Sequence, residues 1–189
     1  MKLSQEISLG SVALSELDCC ELAPLVVVVR SGDKLEWLPP MPTRYRERRT
    51  ETCVESHLGL SFSLRCGLDA VLPAQPDAII VALADQPFIT TALVNRLIDT
   101  FEESPGLDYV ASTHGGTAMP PVLFSKVLFP VLQELDGDRG AAGILRSPDY
   151  KGTVLKMDSA HYFMDADTQE DFGNIVTVWS RINREYEKL

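Results

Sequence analysis

Ile79-Ile80-Val81-Ala82-Leu83-Ala84-Asp85-Gln86-Pro87-Phe88-Ile89-Thr90 is the stretch that decides the fold. It is an apolar run that ends in a carboxylate. Ile79 to Leu83 carries β-branched residues and no charge, which reads as a strand buried on both faces. Pro87 stops the strand, because it brings no backbone N–H to a ladder. Thr90 then opens a helix, with Leu93, Val94, Leu97, Ile98 and Phe101 as the cleanest helical stripe in the chain. Ligands of open α/β sheets bind beyond the carboxyl ends of the strands. Asp85 is therefore well placed to hold a metal ion. It is equally able to cap the helix that follows.

Outward from this unit the same alternation repeats. Leu25 to Val29 is a second continuous apolar run, read as a buried strand, and Leu9 to Leu22 before it has the composition of a helix. Leu60, Leu64, Leu68 and Val71 predict a helix from about Ser61 to Leu72. Short strands are expected at Asp108 to Ala111, Val122 to Phe124, Val154 to Met157 and Tyr162 to Met164. Ser125 to Leu135 reads as helical, with Pro130 starting a new segment. Thr168-Gln169-Glu170-Asp171 resembles a capping box before the stripe Phe172, Ile175, Trp179, Ile182 and Tyr186. Strands alternating with helices imply a largely parallel α/β sheet. Leu38-Pro39-Pro40-Met41-Pro42 must be loop. Arg44, Arg46, Arg48 and Arg49 lie in Thr43 to Thr52, read as a solvated loop or edge strand. The alternative is a contact surface for an anionic substrate.

A chain of 189 residues, 45% hydrophobic and 23% charged, fits one soluble domain over residues 1–189. A net charge of −10 argues against a nucleic-acid partner held by an extensive basic surface. It leaves room for a small anion, because a local site can oppose the global charge, especially with a metal present. Cys19, Cys20, Cys53 and Cys66 form no C-x-x-C pair and no zinc spacing, and read as free thiols in a reducing cytoplasm. The longest apolar run is too short to span a bilayer, and Lys2 is followed by no signal-peptide core.

Asp165 and Asp167 follow the expected strand at Tyr162 to Met164. Two strand-end carboxylates meeting across a cleft suit Mg²⁺, which takes one or two carboxylates plus substrate phosphates. Both are also ordinary turn residues. Gly137-Asp138-Arg139-Gly140-Ala141-Ala142 is a glycine-flanked turn into a helix, either an anion cradle or a plain loop. His114 to Pro121 reads as a flexible loop, with His114 a base, a ligand or neither.

Five stretches in order carry a resemblance. They are Gly59-Leu60-Ser61-Phe62-Ser63-Leu64, Leu83-Ala84-Asp85-Gln86-Pro87, Pro121-Val122-Leu123-Phe124, Gly137-Asp138-Arg139-Gly140-Ala141 and Asp165-Ala166-Asp167-Thr168-Gln169-Glu170-Asp171. With them the chain resembles the MobA-like nucleotidyltransferases, most closely the molybdenum cofactor cytidylyltransferase branch. The resemblance implies a Rossmann-like three-layer (GT-A-like) α/β fold with a mostly parallel sheet. It implies a reaction in which the phosphate of molybdopterin attacks the α-phosphorus of CTP, or of GTP, and pyrophosphate leaves.

It also implies roles. Asp85 and Asp167 would hold Mg²⁺, with Asp165 as the alternative. Gly59 and Ser63 would lie near the base and ribose. Pro121 and the turn of Gly137, Asp138 and Gly140 would shape the pterin side. Lys2 matches the lysine of the family's opening motif, A-A-G-x-S-x-R-M-G-x-x-K-L. The strand and phosphate loop before that lysine are not in this sequence. On the resemblance the domain is thus N-terminally truncated, without its first strand, exposing neighbours such as Val26 and Val28. Gln169 replaces the usual proline, and Pro120 stands where some members carry histidine. The alternative function is non-catalytic: holding the pterin cofactor or docking a molybdenum hydroxylase of the xanthine dehydrogenase type during maturation.

Overall fold

In a computed structural model, residues 1–3, 7–41, 47–138 and 140–186 are described, without the side chains of 183, 185 and 186. Helix α1 (Leu9–Asp18) leads to β1 (Leu25–Arg30), which pairs in parallel with β2 (Arg48–Cys53). Helix α2 (Leu60–Val71) returns the chain to β3 (Ala78–Val81), and α3 (Thr91–Glu103) carries it to β4 (Tyr109–His114). Then follow β5 (Thr117–Ser125), α4 (Phe129–Gln133), β6 (Gly152–Lys156) and α5 (Gln169–Tyr186). The second sheet has the order β3-β5-β4-β6. Strand β5 runs against β3 and β4, while β4 and β6 are parallel. Three of its four strands thus point the same way, giving the α/β class that the alternation predicts.

Local signals set several boundaries. Thr90 caps α3 by accepting the Leu93 N–H at 3.2 Å. Leu93, Val94 and Leu97 bury the inner stripe. The capping box closes as read: the Asp171 N–H donates to Thr168 Oγ1 at 3.1 Å, and the Thr168 N–H to Asp171 Oδ2 at 2.9 Å. Pro130 sits in the first turn of α4.

Other expectations are corrected. Strands β1 and β3 are not buried on both faces. Among the described residues each has a hydrogen-bonded neighbour on one side only, and all but Val29 of their apolar residues are half-exposed. Val26 and Val28 are among these. The fully buried strand is β4, five of whose six residues are inside. His114 to Pro121 is not a flexible loop but a hairpin turning at Gly115 and Gly116, both at positive φ. Its register slips opposite Ala111 and Ser112, where Pro120 and Pro121 bring no N–H to the ladder. Tyr162 to Met164 is not a strand, because a 3-10 turn covers Ala160–Phe163. The glycine turn at Gly137 leads into a 3-10 segment, Gly140–Arg146.

The arginine stretch does contain an edge strand, β2. Arg48 is buried, pairs with Asp18 at 2.6 Å and donates to the Pro39 carbonyl at 2.6 Å. Arg49 donates to the Ala70 carbonyl. Both have partners within the fold. Arg44, Arg46 and Arg139 lie outside the described residues. Among the described residues no helix is long and apolar enough to cross a membrane.

Candidate active site

Because β3, β4 and β6 are parallel, their carboxyl ends share one edge, where open α/β sheets receive ligands. Asp85 follows β3 there, and its Oδ1 is buried with no hydrogen-bond partner. Burial pushes the Asp85 carboxyl above the usual carboxylate range. A backbone hydrogen bond partly offsets this, and the charges of Asp165 and Asp167 push it up further. Asp165 is raised as well, by burial first and then by Asp167; its own backbone bond opposes the rise and Asp171 adds to it. Three carboxylates from two distant stretches therefore sense one another at this edge.

The chain between them explains the approach. Phe88 stands edge-on to the His161 ring at 5.6 Å and lies in a cluster with Leu9 and Ile175. Met164 and Ala166 pack on the same cluster. Asp165 and Asp167 alternate in sequence with those two apolar residues; Asp165 is half-buried and Asp167 exposed. Neither Phe88 nor His161 was singled out from the sequence. The contact that matters joins residues far apart in the chain, and no local pattern signals it.

An anionic oxygen without a donor, facing two like charges, is costly until a cation arrives. Asp85 with Asp165 or Asp167 thus fits a divalent cation. Among the described residues, no three His, Cys, Asp or Glu side chains form a ready cage. A Mg²⁺ ion held there would have to take the rest of its shell from the substrate's phosphates. Gln86, buried beside Asp85, also leaves its Oε1 unpartnered.

The structure joins two more of the singled-out motifs. Gly59, at φ 131°, precedes α2, and a Cβ there would lie 2.6 Å from the Gly137 carbonyl carbon and 2.7 Å from Asp138 Oδ1. The Ser61 N–H donates to the Gly137 carbonyl at 3.2 Å, and Gly140 lies against Leu60. Gly59 and the turn of Gly137, Asp138 and Gly140 are thus one surface rather than two. Ser63 is half-buried one turn into α2. Pro121 is fully buried and its carbonyl accepts from Ser112 Oγ at 3.2 Å, so it can shape a ligand face only through its strand. Lys2 is exposed and bridges to Ser8, in a segment whose Leu3 packs in the Phe88 cluster. His114 ends β4 with its Nδ1 3.2 Å from the Met157 carbonyl.

The sequence of residues 3–153 matches the family model of the MobA-like NTP transferase domain. The chain belongs to that family. The MobA-like domain is 29% identical over 173 residues to the purine catabolism protein PucB of Bacillus subtilis, covering 87% of this chain and 81% of that protein. In fold it is similar to the Mycobacterium sp. strain JC1 homologue of Rv0371c, with a TM-score of 0.75, 21% identity and coverage of 96% and 87%. It is also similar to Rv0371c of Mycobacterium tuberculosis in a complex with manganese, with a TM-score of 0.72, 20% identity and coverage of 92% and 88%. The α/β nucleotidyltransferase fold is thus that of this MobA-like domain.

Proposed function

We propose that this MobA-like domain transfers CMP from CTP to the phosphate of molybdopterin, with release of pyrophosphate. One observation carries the reading: the buried Oδ1 of Asp85 has no hydrogen-bond partner, and the charges of Asp165 and Asp167 push its carboxyl up further. Phosphoryl-type transfer depends on positioning and electrostatics more than on a covalent nucleophile. The carboxylates would hold Mg²⁺, with Asp85 and Asp167 as first ligands and Asp165 in reserve. The bound ion would offset the charge of the phosphates. Asp85 sits between β3 and the buried Phe88, which would favour a fixed position for the oxygen it offers. Gly59 and Ser63 at the start of α2 would line the base and ribose. The Gly137 to Gly140 turn, packed on Gly59, would face the pterin, and Lys2 would approach the phosphates. The relative named for purine catabolism favours an acceptor destined for a purine-oxidising molybdenum hydroxylase of the xanthine dehydrogenase type.

Calorimetry with Mg²⁺ and CTP, with GTP in parallel, tests the reading. Heat with CTP that disappears in Asp85→Asn supports it; an unchanged affinity in that variant removes the metal assignment. Pyrophosphate release on adding molybdopterin then separates an enzyme from a protein that only holds the two ligands.

A further inference from the structure

Trp37 lies in the connection between β1 and β2, a stretch to which neither the motifs nor the family comparison gives a role. Asp33 Oδ1 accepts the Leu35 N–H at 2.7 Å and the Trp37 Nε1–H at 3.2 Å. Leu35 sits at φ 58°, the left-handed region that leucine rarely occupies. The turn is therefore held by its side-chain bonds against backbone preference. Its product is a fixed indole.

That indole is set down on α1 at Gly10. A Cβ at Gly10 would lie 3.0 Å from Trp37 Cε3, 3.1 Å from Cζ3 and 3.6 Å from the Ala84 carbonyl oxygen. The ring and the backbone next to Asp85 thus meet at one point, which no side chain occupies. Trp37 is only half-buried. Its N–H is already satisfied by Asp33, so what remains to offer a ligand is the π surface. A phosphorylated ligand anchored at Asp85 would carry its ring beside that surface.

We infer that Trp37 is a stacking platform for a planar heteroaromatic ring borne by a phosphorylated ligand of this site. A nucleobase and a pterin share that chemistry. The inference rests on the nucleotide site proposed above and adds a binding residue to it.

Tryptophan fluorescence tests it, since the chain has two tryptophans, Trp37 and Trp179. Three probes are titrated with Mg²⁺: pyrophosphate, which has no ring; CTP; and a pterin monophosphate. The expected result is quenching by CTP or by the pterin, none by pyrophosphate, persistence in Trp179→Phe and loss in Trp37→Phe. The probe that quenches identifies the ring. Trp37→Ala should weaken that ligand roughly tenfold or more, in line with one lost base–aromatic stack, and leave pyrophosphate affinity unchanged. Trp37→Phe, which keeps a ring, should lose about threefold or less and serves if the alanine variant does not fold. Binding of both ring-bearing probes without quenching overturns the proposal. An equal loss for pyrophosphate and CTP in Trp37→Ala also overturns it and assigns Trp37 to packing. If none of the three probes binds the unaltered protein, the nucleotide site itself falls, and Trp37 with it.

Discussion

Asp18 and Asp85 are aspartates in similar surroundings with opposite fates. Asp18 ends α1 and meets Arg48 at 2.6 Å, with both side chains more than nine-tenths buried. Asp85 lies in the turn after β3 with a buried oxygen that no donor reaches, and the charges of Asp165 and Asp167 raise its carboxyl further. A buried charge is tolerated when it is paired. One that is left unpaired among like charges is destabilising, and keeps its place only where something else repays the strain. The first aspartate belongs to the fold, the second to the proposed site.

The contrast is easiest to break at its structural end. Arg48→Ala removes the guanidinium paired with the buried Asp18 and should cost about 3–5 kcal/mol of folding stability in a urea titration. If stability barely falls, the pairing of Asp18 with Arg48 does not hold α1 to β2. Asp85→Asn should do the reverse. It should lower the affinity for Mg²⁺ with CTP by about a hundredfold, or ~2.7 kcal/mol, while the fold persists. Without metal, the same variant should be more stable at neutral pH by a few tenths to about 1 kcal/mol, a figure discounted for solvent screening. A loss of stability on that substitution would erase the distinction.

Gly59→Ala sharpens the picture of the second surface. The new Cβ would meet the Gly137 backbone in a conformation that L-residues rarely adopt. A cost of about 1–3 kcal/mol is expected, together with weaker nucleotide binding in the same calorimetric assay.

The pH dependence follows from the raised carboxyls of Asp85 and Asp165. A carboxyl whose pKa is higher in the folded state binds protons more readily there than in the unfolded chain. Its contribution is fully present below the unfolded value and is lost as pH rises through the folded value. The metal-free protein should therefore lose stability as pH climbs from the ordinary carboxylate range through the raised one. Asp85→Asn should flatten that slope in thermal melts taken across the window. Cation affinity should change the other way and fall as pH drops. The smallest effect belongs to the exposed pair of Lys126 and Asp77, 2.7 Å apart in water. Lys126→Ala should leave the melting temperature within experimental error.

Much of this was legible in the chain. The helical stripe after Thr90, the capping box at Thr168 and the stop at Pro87 are local signals, and the structure honours them because their physics spans only a few residues. Asp85 was legible as a carboxylate beyond a strand of an α/β alternation, whereas Asp165 and Asp167 follow a 3-10 turn and not the strand expected there. Several expectations failed for one shared reason. Leu25 to Val29 and Ile79 to Leu83 read as doubly buried, yet β1 and β3 are edges, because burial depends on which neighbours pair and not on how apolar a strand is. Tyr162 to Met164 has strand-like composition, but the Phe88 and His161 contact accompanies a 3-10 turn beside it. Arg48 looked like surface charge until Asp18, from another element, was found beside it.

By itself, then, the sequence determined the class of fold, the helix starts and the candidate carboxylates, since those depend on periodicity, capping and side-chain chemistry that each residue carries alone. Only the tertiary structure decided which aspartate has a partner, which strands are edges, and that Gly59 meets Gly137 while Trp37 reaches the backbone beside Asp85. Those outcomes are distances between residues remote in the chain, and a distance is a property of packing that no single segment contains.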